Sequence, residues 1–249
     1  MPSSSKISED SVVVNDCGEV RSPEEILALA PTYMKEGERL DDLQLDGLMI
    51  IQNPDGYRFT SDATELASFV RGAKGKRVAD LCSGSGIIGI LVSYKQKASR
   101  TVLVEIQPQV SDMAKRTIAL NGLKGIETLC ADVNESYKLL GCESFDIVTV
   151  NPPYMKDGSG DQRKTPEVAL SRHERSLTLS DLMKSASKLL KFGGSFYMVH
   201  RFERLAEIFS EMRSANIEPK EIRFRGDNEP TAVLIRGVKG GKVGLRFIR

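Results

Sequence analysis

The segment of this chain best suited to chemistry combines an amide, two prolines and a phenol: Asn151, Pro152, Pro153 and Tyr154. It follows the apolar run Phe145–Val150, so it stands where a predicted strand ends. The Asn151 side-chain carbonyl and the Pro152 main-chain carbonyl can accept both hydrogens of a planar NH2 group, and the Tyr154 ring can stack on that group. Such acceptors favour pyramidalisation of the nitrogen, which frees its lone pair for attack on an electrophilic methyl group. A rigid turn with an exposed tyrosine is the alternative interpretation.

A glycine-rich segment after the predicted strand Val78–Leu81 suits the close approach of a ligand. Gly84, Gly86 and Gly89 fit the pattern G-x-G-x-x-G at the start of a predicted helix. Dinucleotides and S-adenosylmethionine (SAM) both bind such loops, and a tight strand–helix turn without a ligand has the same pattern. Asp80 favours SAM, because its carboxylate would repel a pyrophosphate and attract the ammonium of an amino-acid-bearing ligand.

Acidic residues also end the next two predicted strands. Glu105 can accept hydrogens from both ribose hydroxyls, and Asp132 can accept hydrogens from the adenine amino group. Together with Asp80 they stand at the carboxyl ends of neighbouring strands, where open α/β sheets bind ligands. The predicted cofactor-binding residues are Asp62, Asp80, Ser83, Gly84, Gly86, Glu105, Ile106, Asp132 and Val133, and we predict no metal ligands.

These residues need a sheet that brings their strand ends together, and the chain from Arg77 onward alternates strand-like and helix-like runs. The strand-like runs lack a polar face, which is typical of a parallel sheet covered on both sides. We predict an α/β fold with a doubly wound, mostly parallel, seven-stranded, Rossmann-like sheet and an antiparallel edge strand. The predicted strands are Val78–Leu81, Thr101–Ile106, Ile126–Cys130, Phe145–Val150, Ser195–Val199, Glu221–Arg225 and Thr231–Arg236. The predicted helices are Ile87–Tyr94, Gln109–Leu120, Leu179–Leu190 and Phe202–Ala215.

Two regions are predicted along the chain: a loose acidic extension over residues 1–35 and one domain over residues 36–249. Within the extension, the capping-box pattern Ser22–Glu25 predicts a short helix, which we expect Pro31 to stop.

Residues 36–76 are expected to form a hairpin and a helix ahead of the sheet. The turn-rich segment Asn53–Gly56 lies between the apolar runs Leu48–Ile51 and Tyr57–Phe59, which predicts a β-hairpin. Ser61 or Asp62 can cap the following helix.

Composition narrows the class of protein. The chain has 249 residues, of which 40% are hydrophobic and 28% charged, which is typical of one large globular domain. Its apolar runs are too short for a membrane span, its beginning lacks the pattern of a signal peptide, and its four scattered cysteines favour a reducing, cytoplasmic location.

The net charge of +1 combines −7 over residues 1–46, +1 over 47–154 and +7 over 155–249. The basic last part favours a polyanionic partner, with an ordinary solvated surface as the alternative.

These motifs together resemble class I SAM-dependent methyltransferases that act on planar nitrogen. A narrower resemblance, from about Glu36 onward, is to the bacterial tRNA1(Val) adenine-N6 methyltransferase family. It is carried by Glu38–Leu43, Ile50–Gln52, Phe59–Ala63, Val104–Gln107 and Arg172–Glu174. The resemblance implies a tRNA partner and methylation of the adenine just 3′ of the anticodon, with SAM as methyl donor and S-adenosylhomocysteine as product. Cys82 departs from the resemblance, because the first glycine of the SAM-binding loop usually stands at this position.

Residues Met155–Ser176 form a basic segment directly after the catalytic motif. We expect it to clamp phosphates and to close over a flipped base, through Arg163, Lys164, Arg172, His173 and Arg175.

Two other transferase functions remain open: a protein glutamine N5-methyltransferase of the release-factor type and an N-methyltransferase acting on another RNA. So do a nicotinamide-dependent oxidoreductase and an RNA-binding scaffold without activity. No membrane and no obligate protein partner are expected.

Overall fold

A computed structural model describes residues 21–54, 61–153, 177–226 and 230–248 of the chain. Its strands are β1 (Arg39–Asp42), β2 (Met49–Gln52), β3 (Arg77–Leu81), β4 (Arg100–Glu105), β5 (Ile126–Cys130), β6 (Phe145–Val150), β7 (Leu190–Arg201), β8 (Ile217–Arg225), β9 (Ala232–Lys239) and β10 (Arg246–Phe247). Its helices are α1 (Pro23–Tyr33), α2 (Ser61–Phe69), α3 (Ile87–Gln96), α4 (Pro108–Asn121), α5 (Val133–Leu140), α6 (Leu179–Leu189) and α7 (Leu205–Ser214), with a 3-10 turn at Phe202–Arg204.

The main sheet has the strand order β10-β8-β9-β7-β6-β3-β4-β5. Strands β3 to β7 pair in parallel, whereas β9 runs antiparallel to both β7 and β8. The predicted doubly wound, mostly parallel α/β fold is therefore confirmed. The antiparallel strand lies between β7 and β8, and the short β10 adds an eighth strand beyond β8.

Both faces of the central strands β3, β4 and β6 are buried, which explains why these strands are mostly apolar. On one face, Val148 packs in the same cluster as Met183 of α6 and Met212 of α7. On the other face, Ile147 packs with Leu66 of α2. Helices packed on both faces hold the parallel strands in alignment. The residues that follow these strands therefore lie together at the carboxyl edge of the sheet.

The described residues before the main sheet contain an antiparallel hairpin of β1 and β2. Strand β2 occupies the predicted apolar run, but its antiparallel partner is β1, and the predicted partner Tyr57–Phe59 lies outside the described residues. The turn of the actual hairpin contains Gln44, Asp46 and Gly47 with positive φ values of 52°, 46° and 81°. The sequence did not predict β1, because that strand carries three charged residues and polar strands are poorly marked by hydrophobic pattern.

Two helices also differ from prediction. Helix α1 has the expected capping box, with the Ser22 hydroxyl accepting from the Glu25 N–H at 3.2 Å, but it continues past Pro31 to Tyr33. Pro31 does not stop it because the proline stands in the last turn, where its missing N–H removes only one helical bond. Helix α5 was not predicted; its N-cap is Asp132, whose Oδ1 accepts from the Asn134 N–H at 2.8 Å.

Candidate functional site

Parallel registers bring the predicted functional residues to the carboxyl edge of the sheet. Leu81 of β3 stands beside Val104 of β4 and Val150 of β6, and Glu105 stands beside Cys130 of β5. The segments that follow these strands therefore emerge side by side, as expected for a ligand site in an open α/β sheet.

The three glycines of the loop serve two different purposes. Gly84 has a φ of +55°, and a Cβ placed on it would meet nothing within 4 Å, so this part of the loop faces open space. Gly86, with a φ of +85°, is the N-cap of α3, and a Cβ there would lie 2.6 Å from Leu103 Cδ1. A Cβ on Gly89 would overlap Leu103 Cδ2 and come within 3.2 Å of the Asp80 Cβ. Gly84 leaves room for a ligand, whereas Gly86 and Gly89 allow α3 to pack against the sheet.

Asp80 lies beneath this loop and is fully buried. One carboxylate oxygen accepts from the Thr149 hydroxyl at 2.7 Å, and the other accepts from the Gly89 N–H at 3.0 Å. Burial raises the pKa of Asp80 to about 7, although both hydrogen bonds act against that rise. The structure thus assigns Asp80 a bond that anchors α3, and its expected contact with a ligand ammonium stays a prediction.

Glu105 supports the loop from the neighbouring strand. Its carboxylate accepts from the Gly84 N–H at 2.9 Å and from the Gln107 N–H at 3.0 Å. Burial raises the pKa of Glu105, and these backbone hydrogen bonds oppose the rise.

Asp132 follows β5 at the same edge and, besides capping α5, stands next to the buried Val133. Ile106 directly follows Glu105 and is half-buried.

Cys82 holds the loop in a backbone conformation that favours glycine. Its φ is +52°, in the left-handed region, where a side chain crowds the backbone. The family pattern of glycine at this position therefore has a local physical reason. This chain places a cysteine there and keeps the left-handed turn.

Two buried oxygen atoms at this edge have no hydrogen-bond partner among the described residues: Asn151 Oδ1 and Ser83 Oγ. Orphaned buried acceptors are rare in folded proteins, and at a strand end they indicate a place for a ligand's hydrogen-bonding groups. Pro152 is buried beside Asn151, and Pro153 is exposed. Tyr154 lies outside the described residues, as do Arg163, Lys164, Arg172, His173 and Arg175 of the predicted RNA-binding segment.

Asp62 is held by an arginine that the sequence did not single out. It lies in the first turn of α2 and is 8% exposed. The Arg225 guanidinium donates to the carboxylate of Asp62 and to the Ser61 hydroxyl, and it pairs with Glu65 at 2.9 Å. This contact ties the beginning of α2 to the end of β8, at the same edge of the sheet.

Sequence reasoning also missed Thr149. It is a buried hydroxyl in an otherwise apolar stretch of β6, and a polar group there needs a partner. That rule could have linked it to Asp80 across the sheet. His200 is also buried, and burial lowers its pKa to about 4 while its Nδ1 accepts from the Arg201 N–H.

A sequence profile of the methyltransferase small domain family matches residues 62–218, and the chain belongs to that family. With its fold and its glycine-loop edge, the protein is a SAM-dependent methyltransferase. Across the described ranges, no helix is long and apolar enough to cross a membrane.

Individual relatives narrow the comparison. The chain is 25% identical over 201 residues to the tRNA1(Val) (adenine(37)-N6)-methyltransferase of Porphyromonas gingivalis W83, covering 78% of this chain and 76% of that protein. It is also 25% identical over 189 residues to the release factor glutamine methyltransferase of Aliivibrio fischeri, covering 72% of this chain but 64% of that protein.

Solved structures share the fold. A predicted O-methyltransferase from Agrobacterium tumefaciens superposes with a TM-score of 0.59 at 26% identity, over 75% of this chain and 84% of that one. TYW2 from M. jannaschii, solved in complex with AdoMet, superposes with a TM-score of 0.56 at 15% identity, over 83% of this chain and 87% of that one.

The residues at the carboxyl edge fit SAM. Gly84 faces open space, and the buried Ser83 Oγ lacks a partner among the described residues. Open space at Gly84 and this Ser83 hydroxyl suit an amino-acid-bearing nucleoside, which open α/β sheets bind at the carboxyl ends of their strands.

Proposed function

We propose that this protein transfers a methyl group from SAM to the exocyclic N6 of an adenine in tRNA, in the anticodon loop. The observation that carries the proposal is Asn151 Oδ1, a buried acceptor that has no partner among the described residues and lies at the end of β6. Such an acceptor needs a hydrogen-bond donor, and a planar NH2 group can supply one. The Pro152 carbonyl can accept the second hydrogen of the same group.

Asn151 and Pro152 act by positioning and polarising the amine. An exocyclic amine is a poor nucleophile because its lone pair is delocalised into the ring, and acceptors on both hydrogens favour the pyramidal form. SAM supplies an electrophilic methyl group on a sulfonium when it is bound. The N–C bond would form as the C–S bond of SAM breaks, and the surplus proton of the amine would pass to solvent. Positioning and fixed dipoles provide the acceleration in this scheme.

The remaining predicted residues are proposed to hold SAM. Ser83, Gly84 and Gly86 would line the methionine part, together with Asp80 beneath them. The ribose and adenine would be held by Glu105, Ile106, Asp132 and Val133, and Asp62 would close the site from α2. The proximity of these residues at one strand edge supports this assignment.

A tRNA substrate is supported by two observations of different kinds. Residues 155–249 carry a net charge of +7, which suits a polyanion, and the resemblance to tRNA1(Val) methyltransferases covers most of the chain. The segment Arg163–Arg175 is proposed to contact RNA beside the catalytic edge. A cytoplasmic location and the absence of a metal, a membrane and an obligate protein partner remain part of the proposal.

A protein glutamine amide is the second candidate substrate. The similarity to a release factor glutamine methyltransferase favours it, because an amide presents the same planar NH2 group to Asn151. The two candidates differ in whether the acceptor is RNA or protein.

Labelled SAM separates these substrates. The purified protein is incubated with total tRNA, with other cellular RNA or with release factor, and the labelled product is identified by mass spectrometry. We expect N6-methyladenosine in tRNA; labelled release factor alone would refute the tRNA proposal.

Asn151→Ala tests the mechanism. We expect a loss of at least about 100-fold in methyl transfer, since one aimed acceptor of this kind contributes that much, with SAM affinity retained. Asn216→Gly is the matched control, because Asn216 lies at the opposite end of the sheet with a φ of +59° that glycine adopts without strain. Full activity of Asn151→Ala would overturn the proposed role.

A further inference from the structure

Within the part of the chain that the structure describes, a basic surface lies on β8 and its neighbours. Glu221 of β8 stands directly beside Arg236 of β9 and Arg246 of β10 in the strand registers. Its carboxylate accepts from Arg246 at 2.8 Å and from Arg71, which follows α2, at 2.7 Å, while Arg236 lies 3.6 Å away. We call Arg71, Arg223, Arg236 and Arg246 the arginine face.

The arginine face carries more positive charge than is needed to neutralise the buried carboxylate of Glu221. Glu221 is the acidic residue at the centre of the arginine face, and its side chain is only 4% exposed. One guanidinium group would neutralise the charge of this carboxylate. Four arginines against one carboxylate leave a local surplus of three charges. The side chains of Arg71 and Arg246 are 56% and 73% exposed, so the surplus reaches the surface.

Aromatic rings hold several of these guanidinium groups in place. The Arg71 and Arg223 guanidinium carbons lie 5.7 Å and 5.4 Å from the centre of the Phe69 ring, and that of Arg236 lies 6.0 Å from the centre of the Tyr197 ring. Stacking on rings and bonding to Glu221 restrict the side chains before any partner arrives, which lowers the entropic cost of binding. A restricted guanidinium presents a fork of N–H donors that matches phosphate oxygens.

The distance to the catalytic edge suits a nucleic acid. Val150, the last residue of β6, is in register with Met198, Ile235 and then Ile222 of β8, the residue after Glu221. Three strand spacings separate β6 from β8, or about 15 Å. That length corresponds to about four base steps of a stacked strand.

We propose that the arginine face binds phosphodiester groups of the RNA whose base enters the site beside Asn151. This inference rests on the proposed tRNA substrate and adds where its backbone is held. The alternating side chains of β8 explain the placement: Ile222 packs into the core against α7, so Glu221 and Arg223 point to the opposite face.

The test combines Arg71→Gln, Arg223→Gln and Arg246→Gln in one variant. Arg236 is kept so that Glu221 retains a partner, and an unchanged melting temperature together with unchanged SAM affinity reports an intact fold. Arg71→Gln and Arg213→Gln form a matched single pair. Both arginine side chains are 56% exposed and each bonds to a glutamate that is at most 10% exposed, but Arg213 lies near the other end of β8.

Binding of total tRNA, and of an RNA stem-loop of anticodon-arm size, is measured from about 50 to 300 mM salt without SAM, and methyl transfer is measured separately. We expect the triple variant to bind about 10- to 100-fold more weakly at low salt, with a salt dependence shallower by about two to three counter-ions. Arg71→Gln should show part of this loss, and Arg213→Gln should bind like the wild type. The KM for tRNA should rise while kcat at saturation is kept.

Wild-type-like binding by the triple variant, with tRNA methylation intact, would overturn this inference and leave the proposed function standing. If the wild-type protein neither binds nor methylates any RNA but methylates release factor, the proposed function fails and the inference fails with it. Equal losses in Arg71→Gln and Arg213→Gln would also refute it, because the effect would then follow net charge rather than this face.

Discussion

Replacing Gly89 by alanine is expected to destabilise the protein although glycine is a poor helix former. An added Cβ would overlap Leu103 Cδ2 and would come within 3.2 Å of both the Asp80 Cβ and Thr101 Cγ2. Leu103 is fully buried between α3, α4 and the sheet, so it has little room to move aside.

The magnitude follows from two opposing effects. Overpacking a tight core site lowers the free energy of unfolding by about 1–3 kcal/mol, and the better helix propensity of alanine raises it by about 1 kcal/mol. Because the added Cβ would overlap the buried Leu103 side chain, the overpacking cost lies in the upper part of that range, and we expect a net loss of about 1–2 kcal/mol, or about 2–8 °C in Tm for a domain of this size. Gly89→Ala should also weaken SAM binding, because the Gly89 N–H that anchors Asp80 shifts with α3.

Gly84→Ala is the control for this reasoning, since its Cβ would meet nothing within 4 Å while its φ of +55° still disfavours a side chain. We expect a loss of stability near the cost of left-handed backbone, about 1 kcal/mol, together with a larger loss of SAM affinity because the new methyl group would enter the proposed cofactor site.

A double-mutant cycle that combines Gly89→Ala with Leu103→Val tests the contact directly. Shortening the Leu103 side chain opens the position that the added methyl group would need, so the combined change should cost at least about 0.5 kcal/mol less than the sum of the single changes. Thermal and denaturant unfolding, with and without SAM, provide the measurements. Strict additivity, or a Gly89→Ala protein that melts at or above the wild-type temperature, would refute the packing argument.

Two further predictions concern the same loop. Cys82→Gly should raise stability by up to about 1 kcal/mol, because it removes left-handed strain at a φ of +52°, and a lower Tm in thermal melts would contradict this. Asp80, whose pKa burial raises to about 7, binds its proton more tightly in the folded than in the unfolded protein. Its contribution to stability is therefore complete at pH values below the unfolded pKa, about 4, and is lost as the pH rises towards about 7. The Tm difference between wild type and Asp80→Asn should accordingly shrink between about pH 4.5 and pH 7.5; a difference independent of pH would show that Asp80 is ionised throughout that range.

Local patterns in the sequence predicted most of the sheet. Mainly apolar runs such as Phe145–Val150 coincide with β6, because a strand buried on both faces lacks a polar side. The capping pattern at Ser22 was equally informative, since the hydroxyl and the glutamate that satisfy the first N–H groups are close in sequence. The charged strand β1 gave no such signal, and its pairing with β2 depends on contacts that hydrophobic pattern does not encode.

The candidate site divides in the same way. Asp80, Glu105, Asp132 and Asn151 could be selected from sequence because each stands at or just beyond the carboxyl end of a mainly apolar strand, and parallel strands expose these ends together. Which groups these side chains contact was not predictable: Asp80 with Thr149, and Asp62 with Arg225, join residues 69 and 163 positions apart.

The sequence by itself determined the doubly wound class, the loop glycines and the chemistry available at the strand ends, because strand periodicity, backbone freedom and side-chain functional groups are local properties. Only the tertiary structure decided that Asp80 is buried beneath the loop and that Gly86 and Gly89 are required by Leu103. It alone gathered Arg71, Arg236 and Arg246 around Glu221. Burial, close packing and the meeting of charges depend on which distant segments the strand order places side by side, and that order is fixed by the energy of the whole packed sheet.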